Sequence, residues 1–278
     1  MLNRFFVEEH VRKALEEDIG FGDITTDYLT DENKVLKCEL NSRTEGVFCG
    51  KIVFETVFNV LSPQVKVTFY KNDGDLLRKN DKIADIEGPA KYVLLGERVA
   101  LNYVQRMSGI ATETKKYKDA IGDYKAKIVD TRKTTPLFRA FEKYSVKVGG
   151  GSLHRFNLSD CAMLKDNHIK YAGSLTKAVN ILREHLSHAH KIEVECDTIE
   201  QVKEAVAVGV DIIMLDNMSY DMMKECVELI DGRAIIEASG NVTLDTIKSI
   251  AATGVDIISS SAIVAKAFAL DLGLDCKE

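Results

Sequence analysis

The sequence lacks the features of a membrane-spanning or secreted chain. It has no run of 18 apolar residues, which is about the length that a helix needs to cross a bilayer. Near the N-terminus only a three-residue apolar run precedes Glu8 and Glu9, which excludes the hydrophobic region of a secretory signal peptide. We therefore predict a soluble, cytoplasmic protein.

The chain also lacks closely paired cysteines, so neither a zinc site nor a dithiol redox motif is expected from the spacing. Its six cysteines are scattered: Cys38, Cys49, Cys161, Cys196, Cys226 and Cys276. We expect buried or half-buried thiols in a reducing compartment. Cys161 and Cys196 lie near chemically capable residues, but neither has an activating base beside it, so we interpret both as core residues.

Positive charge is scarce overall and concentrated in one region. The formal net charge is −6, yet residues 125–170 hold ten Lys or Arg against four Asp or Glu, a local +6 that leaves −12 for the rest. An acidic protein is not drawn as a whole to nucleic acid or anionic membranes. The basic region therefore suggests a site for a small, highly anionic ligand, or alternatively a solvated face.

Short apolar runs followed by helical segments recur from about residue 125 onward. The runs are KAKIVDTRKT (125–134), CAMLKDNHI (161–169), KIEVECD (191–197), VDIIMLDN (210–217), RAIIEASG (233–240) and VDIISSS (255–261). Segments 174–186, 198–209 and 243–254 have helical apolar spacing, and the last two end in glycine. This alternation is typical of parallel strands joined by crossover helices. Because six units fall short of eight, we predict an open, atypical (β/α) barrel.

The first hundred residues have a different pattern. A helix is expected at roughly 7–18, and VLKCEL, GVFCGKIV and VKVTFYKNDGDLL are typical of antiparallel strands with turns. Gly88-Pro89 then begins a long helical stretch. We predict a smaller α/β sandwich domain at 1–108 and the barrel at 109–265, with the tail 266–278 packed on the first domain.

Nearly every predicted barrel strand ends in a chemically capable group, at the edge where the active sites of such barrels lie. The groups are Arg132, Lys133, Lys165, Glu195, Asp216, Ser239 and Ser259. With His154 and Arg155, the basic members would be desolvated and would repel one another around a neutral substrate, so the ligand must carry several negative charges. Glu195 and Asp216 suit Mg²⁺ or ribose hydroxyls, or else neutralise neighbouring lysines. The Ser- and Gly-rich turns after the last two strands suggest a phosphate site.

Eight short motifs, in order across nearly the whole chain, resemble the quinolinate phosphoribosyltransferase family, also called carboxylating nicotinate-nucleotide pyrophosphorylase. They are DIGFGDITT, ERVALNYVQRMSGIAT, DTRKTTP, GGGSLHR, LKDNH, EVE, MLDN and EASG. The resemblance implies that quinolinate and phosphoribosyl pyrophosphate give nicotinate mononucleotide, pyrophosphate and CO₂, with Mg²⁺, in de novo NAD synthesis. It also implies a homodimer or a higher oligomer of dimers.

The resemblance implies a role for each matching residue. Arg132, His154, Arg155 and Lys165 would hold the two quinolinate carboxylates, and Lys133 would lie between quinolinate and the pyrophosphate. Arg98 would enter the site from the partner subunit. Glu195 and Asp216 would bind the ribose hydroxyls and the metal. The 5′-phosphate would be bound by two turns: Ser239, Gly240 and Asn241, and Ser259, Ser260 and Ser261.

Two positions depart from the family pattern. Asn241 and Ser261 stand where the family commonly has glycine, although Asn tolerates left-handed backbone and Ser donates a hydroxyl.

Three other functions stay open. A Schiff-base aldolase would use Lys165 as nucleophile. A nucleic-acid binder would use the basic region, against which the acidic remainder and the lack of interleaved aromatics argue. A molybdenum-transport-associated relative would have altered substrate specificity.

Overall fold

The computed structural model of the protein describes residues 2–31 and 34–277. In chain order the elements are α1 (Arg4–Ile19), α2 (Thr26–Leu29), β1 (Val35–Ser42), β2 (Gly46–Val47), α3 (Lys51–Leu61), β3 (Lys66–Phe69), β4 (Leu76–Leu77), β5 (Lys82–Pro89), α4 (Ala90–Ile121), β6 (Lys127–Val129), α5 (Arg139–Val148), β7 (Ala162–Leu164), α6 (Asp166–Ala172), α7 (Leu175–His185), β8 (Ile192–Cys196), α8 (Ile199–Val208), β9 (Ile212–Asp216), α9 (Tyr220–Ile230), β10 (Ile235–Ser239), α10 (Ile247–Ala251), β11 (Ile257–Ser259), α11 (Ala262–Ala265) and β12 (Leu272–Cys276). Among the described residues, no helix is both long and apolar enough to span a membrane.

The chain divides into two compact units that are discontinuous in sequence. The first comprises Met1–Glu113, Pro136–Gly150 and Ala267–Glu278, and the second comprises Thr114–Thr135 and Gly151–Lys266. The domain limits given by the sequence, 1–108 and 109–265, stay a prediction.

The first unit contains a four-stranded antiparallel sheet in the order β12-β1-β5-β3 and a separate pair, β2 and β4. The predicted first helix is confirmed as α1, in which Asn3 accepts the Phe5 N–H at 2.9 Å and caps the N-terminus. Its buried Val7, Val11 and Leu15 recur every four residues and form one face. α1 packs on α3 within one apolar core.

One local prediction for this unit is wrong. GVFCGKIV is not a strand throughout, because β2 ends at Val47 and α3 begins at Lys51. The apolar spacing continues as a helix that buries Val53, Phe54, Val57 and Phe58 on one side, which a short apolar run does not reveal. The predicted long helix is present as α4, but it begins at Ala90, because Pro89 still pairs with Val35 in the sheet.

The second unit contains the six predicted strands in one parallel sheet, in the order β6-β11-β10-β9-β8-β7. Each end strand has one strand neighbour, and Val129 of β6 makes a single further bridge to Ser152. The prediction of an open, atypical α/β barrel preceded by a smaller antiparallel domain is confirmed. Because all six strands are parallel, their carboxyl ends meet at one edge.

Three helices of the second unit, α7, α8 and α10, match the predicted segments, and one of them is shortened. α8 begins with reciprocal bonds between Thr198 and Gln201 and ends at Gly209, whose φ is +74°. The segment 243–254 is helical only over Ile247–Ala251. Thr243 and Thr246 use their hydroxyls to accept each other's backbone N–H groups, which competes with helical bonding.

Candidate active site

A cavity of about 760 Å³ opens at the carboxyl ends of the barrel strands. It brings together every predicted site residue of the second unit: Arg132, Lys133, His154, Arg155, Lys165, Glu195, Asp216, Ser239, Gly240, Asn241, Ser259, Ser260 and Ser261. Arg98 is exposed on α4, belongs to the first unit and is not among the lining residues.

The loop that follows the three glycines is fixed to the end of β6. Ser152 donates its N–H to the Ile128 carbonyl at 2.8 Å, and His154 donates its N–H to Asp130 Oδ1 at 2.9 Å. Asp130 is fully buried directly after β6. Because a buried carboxylate is stabilised by such hydrogen bonds, it holds the loop on the sheet and aims His154 and Arg155 at the cavity.

His154 lies between two buried glutamates that the sequence interpretation did not single out. Its Nε2 is 3.3 Å from Glu193 Oε1 and 3.5 Å from Glu237 Oε1. Only 1% and 4% of those two side chains are exposed. Burial lowers the pKa of His154, but hydrogen bonds and charge from the two carboxylates outweigh it and raise the pKa to about 10. His154 is therefore a positively charged wall of the cavity at neutral pH.

The same three side chains form a group that could also ligate a metal ion, since their donor atoms lie within 4.8 Å of one another. A metal would need the neutral imidazole, whereas the two carboxylates favour the protonated ring. We therefore interpret this group as a hydrogen-bonded imidazolium.

An NMR titration tests this interpretation. As the pH is raised through about 6.5, we expect the ring resonances of a histidine-containing reference peptide to shift while those of His154 stay constant. Since folding raises the His154 pKa, its stabilising effect is complete below about pH 6.5 and is lost as the pH rises through about 10. In Glu237→Gln the His154 pKa should fall. A wild-type His154 that titrates with the reference peptide would contradict the assignment.

Two more basic side chains are held by specific partners. Arg155 donates from Nη1 to the Cys161 carbonyl at 2.9 Å and from Nη2 to Met163 Sδ at 3.2 Å, which fixes it along β7. Lys165, directly after β7, forms an ion pair with Glu195 at the end of β8. This pair places a cation and a carboxylate of the cavity in direct contact.

The turn after β10 packs against the end of β9. Asn217 donates to Asp216 Oδ2 at 2.7 Å and, through its backbone N–H, to the Ser239 carbonyl at 3.0 Å. A Cβ atom on Gly240, whose φ is +95°, would lie 2.1 Å from Asn217 Oδ1, so only glycine fits there. Asn241 adopts φ +50° and donates to Asn217 Oδ1 at 3.3 Å. The asparagine thus occupies the left-handed backbone position that glycine favours.

Ser261, the second residue that departs from the family pattern, lies in the turn after β11. Ser260 donates its N–H to the Val129 carbonyl at 3.1 Å and accepts the Ala262 N–H at 3.2 Å. Ser261 has φ −75°, a conformation that any residue adopts without strain. A serine at this position therefore does not distort the turn.

Several lining residues were missed by the sequence interpretation. They are Thr131, Met163, Met214, Asn217, Glu237, Val242, Thr243, Ala262 and Lys266. Asn217 and Glu237 are within the quoted motifs MLDN and EASG, so the signal was present. Lys266 follows α11, after the last strand of the barrel, and no neighbouring motif indicated that it lines the site.

Of the two cysteines interpreted as core residues, Cys196 is buried, whereas Cys161 is only half-buried and lies outside the core. Burial raises the pKa of Cys196 to about 12 and that of Cys161 to about 11, so both stay protonated thiols rather than nucleophiles. Cys38, Cys49 and Cys226 are buried as well, but Cys276 is exposed at the end of β12, so its predicted burial is wrong.

Comparison with known proteins places the chain in a family. Residues 23–108 match the family model described as quinolinate phosphoribosyl transferase, N-terminal domain, and residues 110–275 match that of the C-terminal domain. The chain belongs to the quinolinate phosphoribosyl transferase family. The predicted resemblance is therefore confirmed.

Individual members of the quinolinate phosphoribosyl transferase family match over almost the whole chain. A relative from Bacillus subtilis (strain 168), named probable nicotinate-nucleotide pyrophosphorylase [carboxylating], is 41% identical over 99% of this chain and 92% of its own. A relative from Nicotiana tabacum, named quinolinate phosphoribosyltransferase [decarboxylating] 2b, mitochondrial, is 40% identical over 96% of this chain and 81% of its own. The crystal structure of NadC from Streptococcus pyogenes superimposes with a TM-score of 0.96 at 41% identity, over 100% of this chain and 99% of that one.

Proposed function

We propose that this chain transfers the phosphoribosyl group of phosphoribosyl pyrophosphate to quinolinate with decarboxylation. The products are nicotinate mononucleotide, pyrophosphate and CO₂, in de novo NAD synthesis. The observation that carries the proposal is the convergence of six basic groups on one cavity that Glu195, Asp216 and two serine-containing turns also line. A cytoplasmic location stays a prediction.

The basic groups suit a ligand with two carboxylates. Arg132, Arg155 and the His154 imidazolium line the cavity with Lys165. Arginine binds a carboxylate with two parallel hydrogen bonds, and charged hydrogen bonds are about twice as strong as neutral ones. A dianionic ring such as quinolinate would match this set of cations.

The rest of the cavity suits the second substrate. We assign Lys133 to the pyrophosphate, since its flexible ammonium is exposed at the cavity. Glu195 and Asp216 are acceptors suited to the ribose hydroxyls. Ser239, Gly240 and Asn241, together with Ser259, Ser260 and Ser261, offer hydroxyl, amide and backbone N–H donors for the 5′-phosphate, and Lys266 adds a positive charge beside them.

The acidic side of the cavity also fits Mg²⁺. Glu195 and Asp216 end neighbouring strands and open to the same cavity. Magnesium is commonly held by one or two carboxylates together with substrate phosphates. These two residues would hold the ion, which when bound neutralises negative charge on the pyrophosphate.

The reaction needs no protein nucleophile. The pyridine nitrogen attacks C1 of the ribose while the C1–oxygen bond to pyrophosphate breaks, and Lys133 stabilises the charge on the leaving oxygen. The carboxylates of Glu195 and Asp216 favour the positive charge that develops on the ribose. The bond between the ring and the carboxylate next to the nitrogen then breaks, and CO₂ leaves. The electron pair of the broken bond stays on the ring carbon, where the adjacent pyridinium stabilises it. That carbon then takes up a proton.

We also propose a homodimer in which Arg98 enters the site of the partner subunit. Its side chain is exposed on α4, in the motif GERVALN that matches the family pattern. A two-fold dimer can deliver such a residue from one subunit to the other.

Two rival functions fit the site less well. A Schiff-base lysine must direct its amine at a carbonyl substrate, but the Lys165 amine is held in an ion pair with Glu195. A nucleic-acid binder presents its cations on an open face, whereas these line a cavity of about 760 Å³.

The experiment is an assay of pyrophosphate release with Mg²⁺ and phosphoribosyl pyrophosphate, using quinolinate, nicotinate or neither. We expect release with quinolinate and at least a 100-fold lower kcat/KM with nicotinate, because one or more cations of the cavity would lose a partner. Comparable turnover of nicotinate would contradict the dicarboxylate site. Release that does not depend on either acid would contradict the proposed reaction.

A further inference from the structure

Two cysteines from distant parts of the sequence lie opposite each other in the sheet of the first unit. Cys38 of β1 and Cys276 of β12 are direct antiparallel partners. The Lys277 N–H donates to the Lys37 carbonyl at 2.8 Å, so the adjacent pair 37 and 277 is hydrogen-bonded. Hydrogen-bonded and non-hydrogen-bonded pairs alternate along an antiparallel ladder, so Cys38 and Cys276 form a non-hydrogen-bonded pair.

This register suits a covalent bond between the two thiols. Non-hydrogen-bonded partners have Cα atoms about 4.5 Å apart and side chains on the same face of the sheet. Disulfides join Cα atoms about 4.4–6.8 Å apart. The two sulfur atoms can therefore meet without a change in strand pairing.

The two thiols differ in access to solvent. Cys38 is 2% exposed and packs in the apolar core beside its other strand partner, Ile86. Cys276 is exposed at the last residue of β12. Burial, and then the hydrogen-bonded thiol of Cys276, raise the pKa of Cys38. A small reagent therefore reaches Cys276 first, and Cys38 reacts next from within the sheet.

We propose that Cys38 and Cys276 are a redox modification site that forms a reversible disulfide with low-molecular-weight disulfides as oxidant. The Cys276 thiolate attacks one sulfur of the oxidant, forms a mixed disulfide and releases the first small thiol. The Cys38 thiolate then attacks the Cys276 sulfur and releases the second small thiol. The protein loses two electrons and two protons, and the oxidant is reduced to two thiols.

The bond would fasten the C-terminal strand to β1. It closes a loop of nearly the whole chain, which restricts the unfolded state, so the oxidised protein should melt several degrees higher than the reduced protein. Because the Cys38 pKa is raised, formation should be slow at neutral pH and faster as the pH rises.

The test exposes the full chain to oxidised glutathione, blocks the remaining thiols and maps non-reduced peptides by mass spectrometry. We expect a peptide pair joined through Cys38 and Cys276, a fall from six free thiols to four, and full reversal by dithiothreitol. Cys161→Ser, the matched control, should form the same bond. Cys276→Ser should form none, and Cys38→Ser should keep glutathione on Cys276.

Three results would overturn the proposal. They are a stable glutathione adduct on Cys276 with Cys38 free in the wild type, a Cys276 disulfide between two molecules, and two thiols that both persist while other cysteines are oxidised. All three are read from the wild type, so the conclusion does not depend on the folding of a variant.

Discussion

Replacing Lys165 or Lys133 with alanine is expected to lower kcat by roughly 100-fold or more, the usual effect of removing a group that stabilises developing charge. Lys165 pairs with Glu195 beside the proposed ring site, and Lys133 stands at the proposed pyrophosphate position. The Lys165 side chain is 46% exposed and Lys133 is exposed as well, so neither contributes much to the core. We expect the free energy of unfolding to change by less than about 1 kcal/mol.

The measurement is a steady-state assay paired with denaturant unfolding of each variant. Lys224→Ala is the matched control, because Lys224 is an exposed lysine of α9, 3.6 Å from Asp221 and not among the cavity residues. It should leave both activity and stability unchanged. Unchanged activity in both Lys133→Ala and Lys165→Ala would show that the active site lies elsewhere.

Arg98→Ala is expected to abolish activity and to be complemented by a second inactive variant. If Arg98 acts across a dimer, mixing Arg98→Ala with Lys133→Ala after dissociation creates mixed dimers. One site of each has both residues, and the other lacks both. Random exchange makes about half the dimers mixed, so activity should return to about a quarter of the wild-type value.

The control for this experiment is each inactive variant carried alone through the same dissociation and reassociation. Subunit exchange is measured separately, with tagged chains. Exchange without recovered activity would mean that Arg98 acts within its own chain or has no catalytic role. Full activity in Arg98→Ala alone would remove it from the site.

The sequence predicted the barrel and the cavity edge well because both depend on local pattern. Val- and Ile-rich strands repeat in the second half, and parallel strands must end at the same edge, so the sequence alone places Lys165, Glu195 and Asp216 together. The wrong strand at GVFCGKIV has the opposite cause, since a short apolar run fits a strand or a buried helix equally well.

Two sets of side-chain contacts could not be predicted from the sequence. They depend on the register of the strands and on which side chains face the inside of the barrel. Glu193 and Glu237 are in β8 and β10, with β9 between them, yet both reach His154. Both glutamates are in the quoted motifs EVE and EASG, but the two runs do not show that the side chains meet at His154. Cys38 and Cys276 meet only because β12 returns to the sheet edge in one register, and a shift of one residue would separate them.

The proposed reaction is tested most directly with quinolinate that carries a carbon label in the carboxylate next to the ring nitrogen. With phosphoribosyl pyrophosphate and Mg²⁺, we expect labelled CO₂ and pyrophosphate to be released in equal amounts. The nucleotide product, nicotinate mononucleotide, should carry no label. Pyrophosphate release with the label retained in the nucleotide, or label release without phosphoribosyl pyrophosphate, would contradict this reaction.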